Sequence, residues 1–460
     1  MIGLPPFLSF SENERILQLK ILMIILRTVK NISSLNIAAS VLLFLAAILA
    51  AVVANSSLSP VYQDFLLQEL HLRIGNFNLF SHGGHPLKMI EFINDCLMTV
   101  FFLAVGLEIK RELLVGELSS VRKAALPFIA ACGGMVVPVV IYALSVASST
   151  PETRGMAIPM ATDIAFSLGV LSLLGKRVPL SLKIFLTAFA VVDDIGGILV
   201  IALFYSADVA YGYLIAAAVL YVFLYYMGKF GVTQKIFFLF FGVIIWYLFL
   251  QSGIHSTISG VILAFVIPAR PRLDAGKYIE RIRDIIGEFP VSKSDNIVLT
   301  NAQIATLKQV ERASDYVISP LQSLEDNLHG AVSFVILPLF AFANAGVVFS
   351  GSGSIVGDVS IAVAAGLLLG KFLGIYLFTW LAVKSGVALM PAGMNWKNIA
   401  GVSLLGGIGF TVSLFIANLS FADEYPELLN QAKFGVLVGT VLAGVLGYVV
   451  LNWVLPKREK

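Results

Sequence analysis

The sequence predicts an all-α polytopic membrane protein with about twelve transmembrane helices, an inverted-topology repeat and two broken helices that cross at the bilayer midplane. Three observations predict this fold: a strongly apolar composition, apolar segments of spanning length, and basic residues in alternate connections. Of the 460 residues, 58% are hydrophobic and 13% are charged, with a mean hydropathy of +0.91. Soluble domains are about 45–50% apolar and about 25% charged, so most of this chain has no water to face.

The composition also excludes several classes of partner. The formal net charge of +3 is too small to indicate nucleic-acid binding, and no basic stripe with interleaved aromatic residues is present. The lipid bilayer is the expected surrounding of the chain. No cofactor is predicted.

A transmembrane helix needs about 20 mostly apolar residues. Twelve segments meet this requirement, some of them marginally, and only the short connection at 251–254 separates the seventh from the eighth. The segments are 35–54, 90–109, 124–147, 156–174, 181–205, 211–228, 235–250, 255–268, 331–349, 361–383, 399–421 and 434–455.

Basic residues accumulate on the cytoplasmic side of membrane proteins, and here they occur in alternate connections. Lys110 and Arg111 follow the second segment and Lys176 follows the fourth, whereas Asp358 and Glu424 lie in the opposite connections. Both termini are therefore expected to be cytoplasmic. The predicted organisation is an amino-terminal cytoplasmic or interfacial extension (1–34), eight helices with an external hairpin loop at 55–89 (35–271), a cytoplasmic insert (272–330) and four further helices (331–456).

Two connections are long enough to have structure of their own. The external loop at 55–89 contains a Gly75-Asn76 turn signal between alternating residues, which predicts a β-hairpin. A second copy of the chain, giving a homodimer, and an ordered lid without a partner are both open interpretations. The insert at 272–330 predicts a helix at 277–288 and a helix start at Thr300, without a catalytic signature. A regulatory or inert role is favoured.

Four ionisable residues lie near the middle of predicted transmembrane segments: Asp163, Asp193, Asp194 and Lys371. A rise of about 1.5 Å per residue brings all four to a common depth near the midplane. Charges inside a membrane are costly and therefore indicate function. Structural ion pairs that close a helix bundle are the alternative, and they suit Asp163 or Lys371 better than the adjacent pair.

The adjacent pair, Asp193 and Asp194, favours ion exchange. Two desolvated carboxyl groups share one small volume, and one lysine cannot neutralise three acids, so at least one carboxyl is expected to hold a proton near neutral pH. Carboxylate oxygens also bind hard cations. Competition between a proton and a cation for the same oxygens would couple their movements.

The fourth and eleventh segments predict interrupted helices at the same depth. Pro159 precedes Asp163 by one turn, and Gly406, Gly407 and Gly409 cluster in the eleventh segment. The two segments run in opposite directions, and each is the middle one of three, which is typical of an inverted repeat (helices 3–5 and 10–12). Close helix crossing through small residues explains the glycines alone equally well. Broken ends carry partial charges, which Asp163 is expected to offset at positive ends and Lys371 at negative ends.

At this point the sequence resembles the NhaA-type sodium/proton antiporters, from about residue 34 to residue 454. Several stretches carry the resemblance, and together, in this order, they are very specific. They are FINDCLM at 92–98, FFLAVGLEIKRE at 101–112, ATDIAF at 161–166, VDDIG at 192–196, LPLFAFANAG at 337–346, GK at 370–371 and GGIGFT at 406–411.

This resemblance implies an electrogenic exchanger in the bacterial inner membrane, which takes up external protons for internal sodium or lithium and is activated at alkaline pH. It implies that Asp194 is the principal ion-binding carboxylate and Asp193 its partner. Thr162 joins them as a ligand of the transported sodium, Asp163 is the acid at the helix crossing, and Lys371 is the lysine opposite.

The resemblance also implies a pH-responsive cluster at the inner ends of the second and ninth helices, and a histidine among acids titrates in a suitable range. Solvated charges that obey the positive-inside bias are the alternative. His255, near the outer start of the eighth helix, is similar to a tuning position of the family. The cluster consists of Glu108, Arg111, Glu112, Glu325 and His329.

Two alternatives to sodium/proton exchange remain at this stage. A proton-coupled carrier of another substrate fits the bilayer argument, because the choice of sodium rests on the resemblance. An intramembrane aspartyl protease is the enzyme alternative, but it needs one acid from each of two facing helices. The adjacent Asp193 and Asp194 fit that requirement poorly.

Overall fold

The structure, a computed structural model, describes residues 37–74, 77–82, 85–146, 151–205, 209–270, 275–287, 300–349, 354–422 and 424–456. The predicted extension at 1–34 lies outside these residues. Nine helices within the described ranges are long and apolar enough to cross a bilayer, and two bent helix pairs meet the same test jointly. Helices are expected here because a bilayer offers the backbone no hydrogen-bond partner. The prediction of an all-α polytopic membrane protein is confirmed.

The helices are numbered α1 to α16 along the described chain. In order they are α1 (Ile37–Ala54), α2 (Ser59–Leu67), α3 (Met89–Val115), α4 (Val121–Ser145), α5 (Ile164–Leu173), α6 (Leu180–Phe204), α7 (Tyr211–Lys229), α8 (Lys235–Ser252), α9 (Thr257–Val266), α10 (Ala275–Gly287), α11 (Asn301–Val317), α12 (Pro320–Asn344), α13 (Asp358–Lys384), α14 (Trp396–Leu405), α15 (Phe410–Phe421) and α16 (Pro426–Val454).

Two of the predicted segments are broken helices. The first broken helix joins a 3-10 helix, Pro151–Met160, to α5 with a bend of 44°, and the second joins α14 to α15 with a bend of 44°. Each lies between two long helices, α4 and α6 in one case and α13 and α16 in the other. The order helix, broken helix, helix therefore occurs twice, as the inverted repeat predicts.

The eighth predicted segment differs from its prediction. The sequence at 255–268 forms only the ten-residue helix α9, which is about 15 Å long and thus spans about half of the hydrocarbon layer. Lys110 of α3 closes its carboxyl end by donating to the carbonyl oxygens of Ala264 (3.3 Å), Phe265 (2.7 Å) and Ile267. A cation at this position satisfies the free carbonyl groups of the last turn.

The connections contain short elements. In the external loop, β1 (Arg73–Ile74) pairs with β2 (Phe77–Asn78) and β3 (Ser81–His82) pairs with β4 (His85–Pro86), both antiparallel. The turn at 75–76 itself lies outside the described residues. In the insert, α10 packs against α11. Thr300 and Gln303 cap α11 reciprocally, since each backbone N–H donates to the other side chain (2.9 and 3.3 Å).

Helix α12 begins at Pro320, whereas the sequence predicts the ninth segment from 331. Pro320 stands at the first helical position, where its missing N–H is not needed, and Ser319 accepts a hydrogen bond from the backbone N–H of Gln322 at 3.2 Å. Residues 320–330 are thus part of a continuous helix that leads from the insert into the membrane domain.

Helices α4 and α13 pack with their backbones in direct contact. A Cβ atom on Gly374 would meet the backbone of Gly133 and Gly134, and a Cβ on Gly370 would meet Pro138. Glycine at these positions allows the two helices to approach closely. This approach holds Lys371, on the same stretch of α13, deep within the bundle.

Candidate functional site

The site lies where the two broken helices meet. Hydroxyl and amide groups of the first broken helix donate to carbonyl groups at the carboxyl end of α14 and in the break that follows it. Thr162 Oγ1 donates to Gly406 O (2.9 Å), Asp163 N to Ile408 O (2.6 Å) and Ser167 Oγ to Leu405 O (3.0 Å). The negative end of α14 is therefore satisfied without a basic side chain.

Asp163 caps the amino ends of α5 and α15, the second parts of the two broken helices. Its Oδ1 accepts from Phe166 N (3.0 Å), and its Oδ2 accepts from Thr411 N (3.1 Å) and Thr411 Oγ1 (2.6 Å). The side chain is buried. A carboxylate is favourable here because helix amino ends carry partial positive charge and unpaired N–H groups. The geometry matches the expectation that Asp163 offsets positive ends, and it ties α5 to α15.

The ammonium group of Lys371 has a carboxylate partner, Asp193. Its Nζ is 2.5 Å from Asp193 Oδ2, and both side chains are fully buried. The expectation that Lys371 offsets negative helix ends stays a prediction; at one such end, Gly406 O and Leu405 O accept hydrogen bonds from Thr162 and Ser167. Asp193 Oδ1 has no hydrogen-bond partner within the described chain.

Asp194 faces a different surrounding from its neighbour. Successive side chains on a helix diverge by about 100°, so Asp193 can face Lys371 while Asp194 faces elsewhere on α6. Asp194 lines a cavity of about 290 Å³ together with Thr162, Asp163 and Thr411. In the described part of the chain it forms no ion pair.

The cavity leads from Asp194 to the carboxyl end of α3 and the amino-terminal part of α12. This end of the cavity is called the mouth here. Glu108, Arg111, Glu325 and His329 line the cavity there. Arg111 Nε lies 2.9 Å from Glu325 Oε1, and Arg111 NH2 lies 3.4 Å from Glu112 Oε1. Four of the five residues of the predicted cluster thus line the same cavity as Asp194, and Glu112 joins them through Arg111.

His255 lies apart from this cavity, in the connection between α8 and α9. Its neighbour Ser256 is within 3.4 Å of Asp95 Oδ1 and 3.3 Å of Asp95 O. The predicted tuning residue therefore lies beside the far end of α3, opposite the mouth.

The predicted sodium ligands lie beside one another. Asp194 and Thr162 line the cavity, and Asp193 is paired with Lys371 and lies next to Thr162. Within the described ranges, no three His, Cys, Asp or Glu side chains converge as they would around a bound metal ion.

Sequence reasoning missed three aromatic residues and a threonine. The rings of Phe102 and Phe340 lie 5.5 and 6.4 Å from the ring of Phe415, and all three side chains are buried. Thr411, one turn before Phe415, holds Asp163. Apolar residues in an apolar helix give no sequence signal for such a ring contact.

The sequence is similar to those of known proteins along most of its length. The family model described as Na+/H+ antiporter 1 matches residues 30–451. The chain is 75% identical over 437 residues to the Na(+)/H(+) antiporter NhaA of Bacteroides fragilis, an alignment that covers 95% of this chain and 100% of that protein. It is 74% identical over 438 residues to that of Bacteroides thetaiotaomicron (95% and 100%), and 47% identical over 437 residues to that of Porphyromonas gingivalis (94% and 96%).

Proposed function

Because the chain belongs to the Na+/H+ antiporter 1 family of ion transporters, we propose that it exchanges external protons for internal sodium or lithium at Asp194. The chain is a multi-pass bacterial membrane protein and a transporter rather than an enzyme. The observation that carries the proposal is that Asp194 lines a cavity open towards the mouth.

Exchange at Asp194 follows from competition for its oxygens. A proton neutralises the buried carboxyl group, and a hard cation can do the same through oxygen ligands. The cavity offers the hydroxyl oxygen of Thr162 and the carboxylate of Asp163 close by, although both already hold hydrogen bonds. Since the two ions cannot occupy the same oxygens, the entry of one requires the departure of the other.

Asp193 and Lys371 are the proposed partners in this exchange. One carboxylate oxygen of Asp193 is held by the ammonium group, and the other is unpartnered in the described chain. If the pair opens, Asp193 can contribute oxygens to the cation or accept a proton. Two acids and one lysine at one depth provide more than one proton site for each cation, which supports electrogenic exchange.

Alternating access is proposed to pivot at the helix crossing. The cavity reaches from the mouth to Asp194, and we propose that the packed rings of Phe102, Phe340 and Phe415 form the barrier towards the opposite side. Asp163 ties the amino ends of α5 and α15 together, so a shift of either is transmitted to the other. Separation of the rings would expose the site to the other side.

Activation at alkaline pH is proposed to arise at the mouth. There Arg111 bridges Glu325 and Glu112, and Glu108 and His329 line the approach to Asp194. Loss of protons from this group changes its charge and thereby the attraction of cations into the cavity. The insert ends directly at α12, which carries Glu325, so it is placed to influence this region.

The location in the membrane completes the proposal. We place the protein in the inner membrane with both termini and the mouth on the cytoplasmic side, because basic residues accumulate in the connections on that side. The large apolar side chains exposed on the spanning helices would face lipid. The described part of the external loop forms two small two-stranded sheets, and because short isolated sheets are marginally stable alone, we propose a homodimer through residues 55–89.

Everted membrane vesicles from a host without its own antiporters test this function. A pH-gradient dye would report dequenching when sodium or lithium is added, but not choline, and Asp194→Asn would abolish the signal. Asp358→Asn is the matched control, because it makes the same chemical change at an exposed residue at the start of α13. A correctly inserted native chain without any cation-dependent signal would contradict the proposal.

A further inference from the structure

Asn344, the last residue of α12, is a buried amide whose oxygen has no hydrogen-bond partner in the described part of the chain. Its side chain is fully buried, and its Nδ2 donates to Asn94 Oδ1 (2.8 Å) and to Phe340 O (3.0 Å). Among the described residues, nothing donates to its Oδ1. Buried polar atoms are nearly always hydrogen-bonded, so an exception of this kind indicates a role.

The orientation of this amide is fixed by its neighbours. The backbone oxygen of Phe340 can only accept a hydrogen bond, so the atom that faces it must be the amide nitrogen. Asn94 holds the same nitrogen from α3. The unpartnered atom of Asn344 is therefore the carbonyl oxygen, and both contacts hold it in one direction.

The surroundings favour a cation. Asn344 stands at the carboxyl end of a long helix, which carries partial negative charge. Asn94 lies in the π-helical turn Phe92–Leu97, a feature frequent at functional sites, and Asp95 follows it there. Sodium and lithium are hard cations, for which amide, carbonyl and carboxylate oxygens are the preferred ligands.

The position of Asn344 separates it from the cavity. Helix α12 carries His329 near the mouth and ends at Asn344, about 22 Å further along its axis. Phe340, one turn before Asn344, packs against Phe415, and Phe415 lies one turn beyond Thr411. Asn344 thus lies roughly two turns, about 11 Å, from the level of Asp163, on the far side of the aromatic rings.

We propose that Asn344 Oδ1 is a coordinating oxygen for sodium or lithium on the outer half of the transport route. The cation would reach it after leaving Asp194 and passing the rings, and the amide oxygen would replace part of its lost hydration. This inference rests on the proposed function, which supplies the ion and the direction. Asn344 would thus provide a second, weaker binding position for the cation on the external side.

The test compares the apparent KM for sodium at the two faces of the membrane. Everted vesicles present the cytoplasmic face to added ²²Na+, and right-side-out vesicles present the external face. Asn344→Leu keeps the approximate volume but removes the oxygen, and it is expected to raise the external KM roughly tenfold, with a cytoplasmic KM close to the native value. Asn418→Leu is the matched control, because Asn418 is also a buried helix asparagine that donates to the carbonyl four residues earlier, Leu414 O.

Asn344→Asp separates coordination from structure. It keeps an oxygen and adds negative charge, so coordination predicts an external KM at or below the native value. A merely structural amide predicts damage like that of Asn344→Leu, since both variants lose the donor to Phe340. If Asn344→Leu fails to insert, Asn344→Asp alone decides: a raised external KM overturns the proposal.

Further results would overturn either the role of Asn344 or the proposed function. Equal changes of KM at both faces, or no change at either face in Asn344→Leu, overturn the role of Asn344 while leaving exchange at Asp194 intact. Absence of sodium transport by the native chain would instead remove the proposed function on which the inference rests.

Discussion

The ammonium group of Lys371 lies 2.5 Å from Asp193 Oδ2, and neither side chain is exposed. The next residue, Asp194, lines the cavity and forms no ion pair in the described chain. Adjacent carboxylates thus have unequal surroundings, one neutralised by a lysine and one open to an arriving ion. This inequality is the basis for assigning the cation to Asp194 and a supporting role to Asp193.

Removal of one member of the Lys371–Asp193 pair should destabilise the protein. Lys371→Met leaves a buried carboxylate without its counter-charge, which costs about 3–5 kcal/mol in buried pairs. The double variant Lys371→Met/Asp193→Asn should recover much of this loss, because no charge is then left unpaired. Thermal unfolding of the purified proteins measures the loss of stability in the single variant and its recovery in the double variant. Equal losses in the single and double variants would show that the pair is not energetically coupled.

Thr411→Val should weaken the helix crossing. The substitution removes the hydroxyl that donates to Asp163 Oδ2 at 2.6 Å, and a hydrogen bond to a charged group contributes about 1.5–3 kcal/mol. Thr379→Val is the control, because Thr379 is equally buried but its hydroxyl has no partner within the described ranges. The melting temperature should fall for Thr411→Val and stay or rise for Thr379→Val. A larger fall of the melting temperature for Thr379→Val than for Thr411→Val would contradict the role of Thr411 in holding Asp163.

Gly374→Ala should reduce transport through packing alone. A Cβ at this position meets the backbone of Gly133 and Gly134, so α13 must move away from α4, and Lys371 moves with it. Overpacking of this kind costs about 1–3 kcal/mol. Gly197→Ala on α6 is the control, since a Cβ there meets nothing within 4 Å. Dye dequenching in everted vesicles should fall only for Gly374→Ala, and unchanged transport would contradict the close approach of the two helices.

Tyr62 supplies a pH-dependent prediction outside the membrane-spanning helices. Its hydroxyl donates to Phe342 O at 2.6 Å, and burial raises the pKa of Tyr62 to about 12. In the folded protein the pKa of Tyr62 exceeds the ordinary value of 10.0. The contribution of the protonated Tyr62 hydroxyl to the stability of the fold is therefore fully present below pH 10 and is lost as pH rises towards about 12.

Tyr62→Phe should therefore lower stability by about 1 kcal/mol at neutral pH, and the difference from the native protein should shrink above pH 10. Thermal unfolding of the native protein and of Tyr62→Phe across this pH range measures the difference in stability. A difference that grows with pH would contradict the assignment.

Much of the site can be predicted from the sequence, because membrane depth follows from counting residues along helices. Pro159 and the glycines at 406–409 predict where the helices break, and the structure has both breaks there. The partners across the break cannot be predicted in this way. Thr162 and Ser167 donate to carbonyl groups 244 and 238 residues away, and Lys371 pairs with Asp193, which is 178 residues away.

Other features exceed what a single sequence shows. The apolar run at 255–268 predicts a span, but only ten residues are helical, and the carboxyl end depends on Lys110 from another helix. The unequal surroundings of Asp193 and Asp194 depend on which face of α6 meets α13. Packing decides that choice, and neighbouring identical residues give no hint of it.

Sodium-induced proton release by the purified protein tests the central claim most directly. In weakly buffered detergent solution, added sodium or lithium should release protons from the native protein in a saturable way, because the cation displaces the proton held at Asp194. Asp194→Asn should release none, and Asp358→Asn should match the native protein. Undiminished proton release from a folded Asp194→Asn protein would contradict competition at this carboxylate.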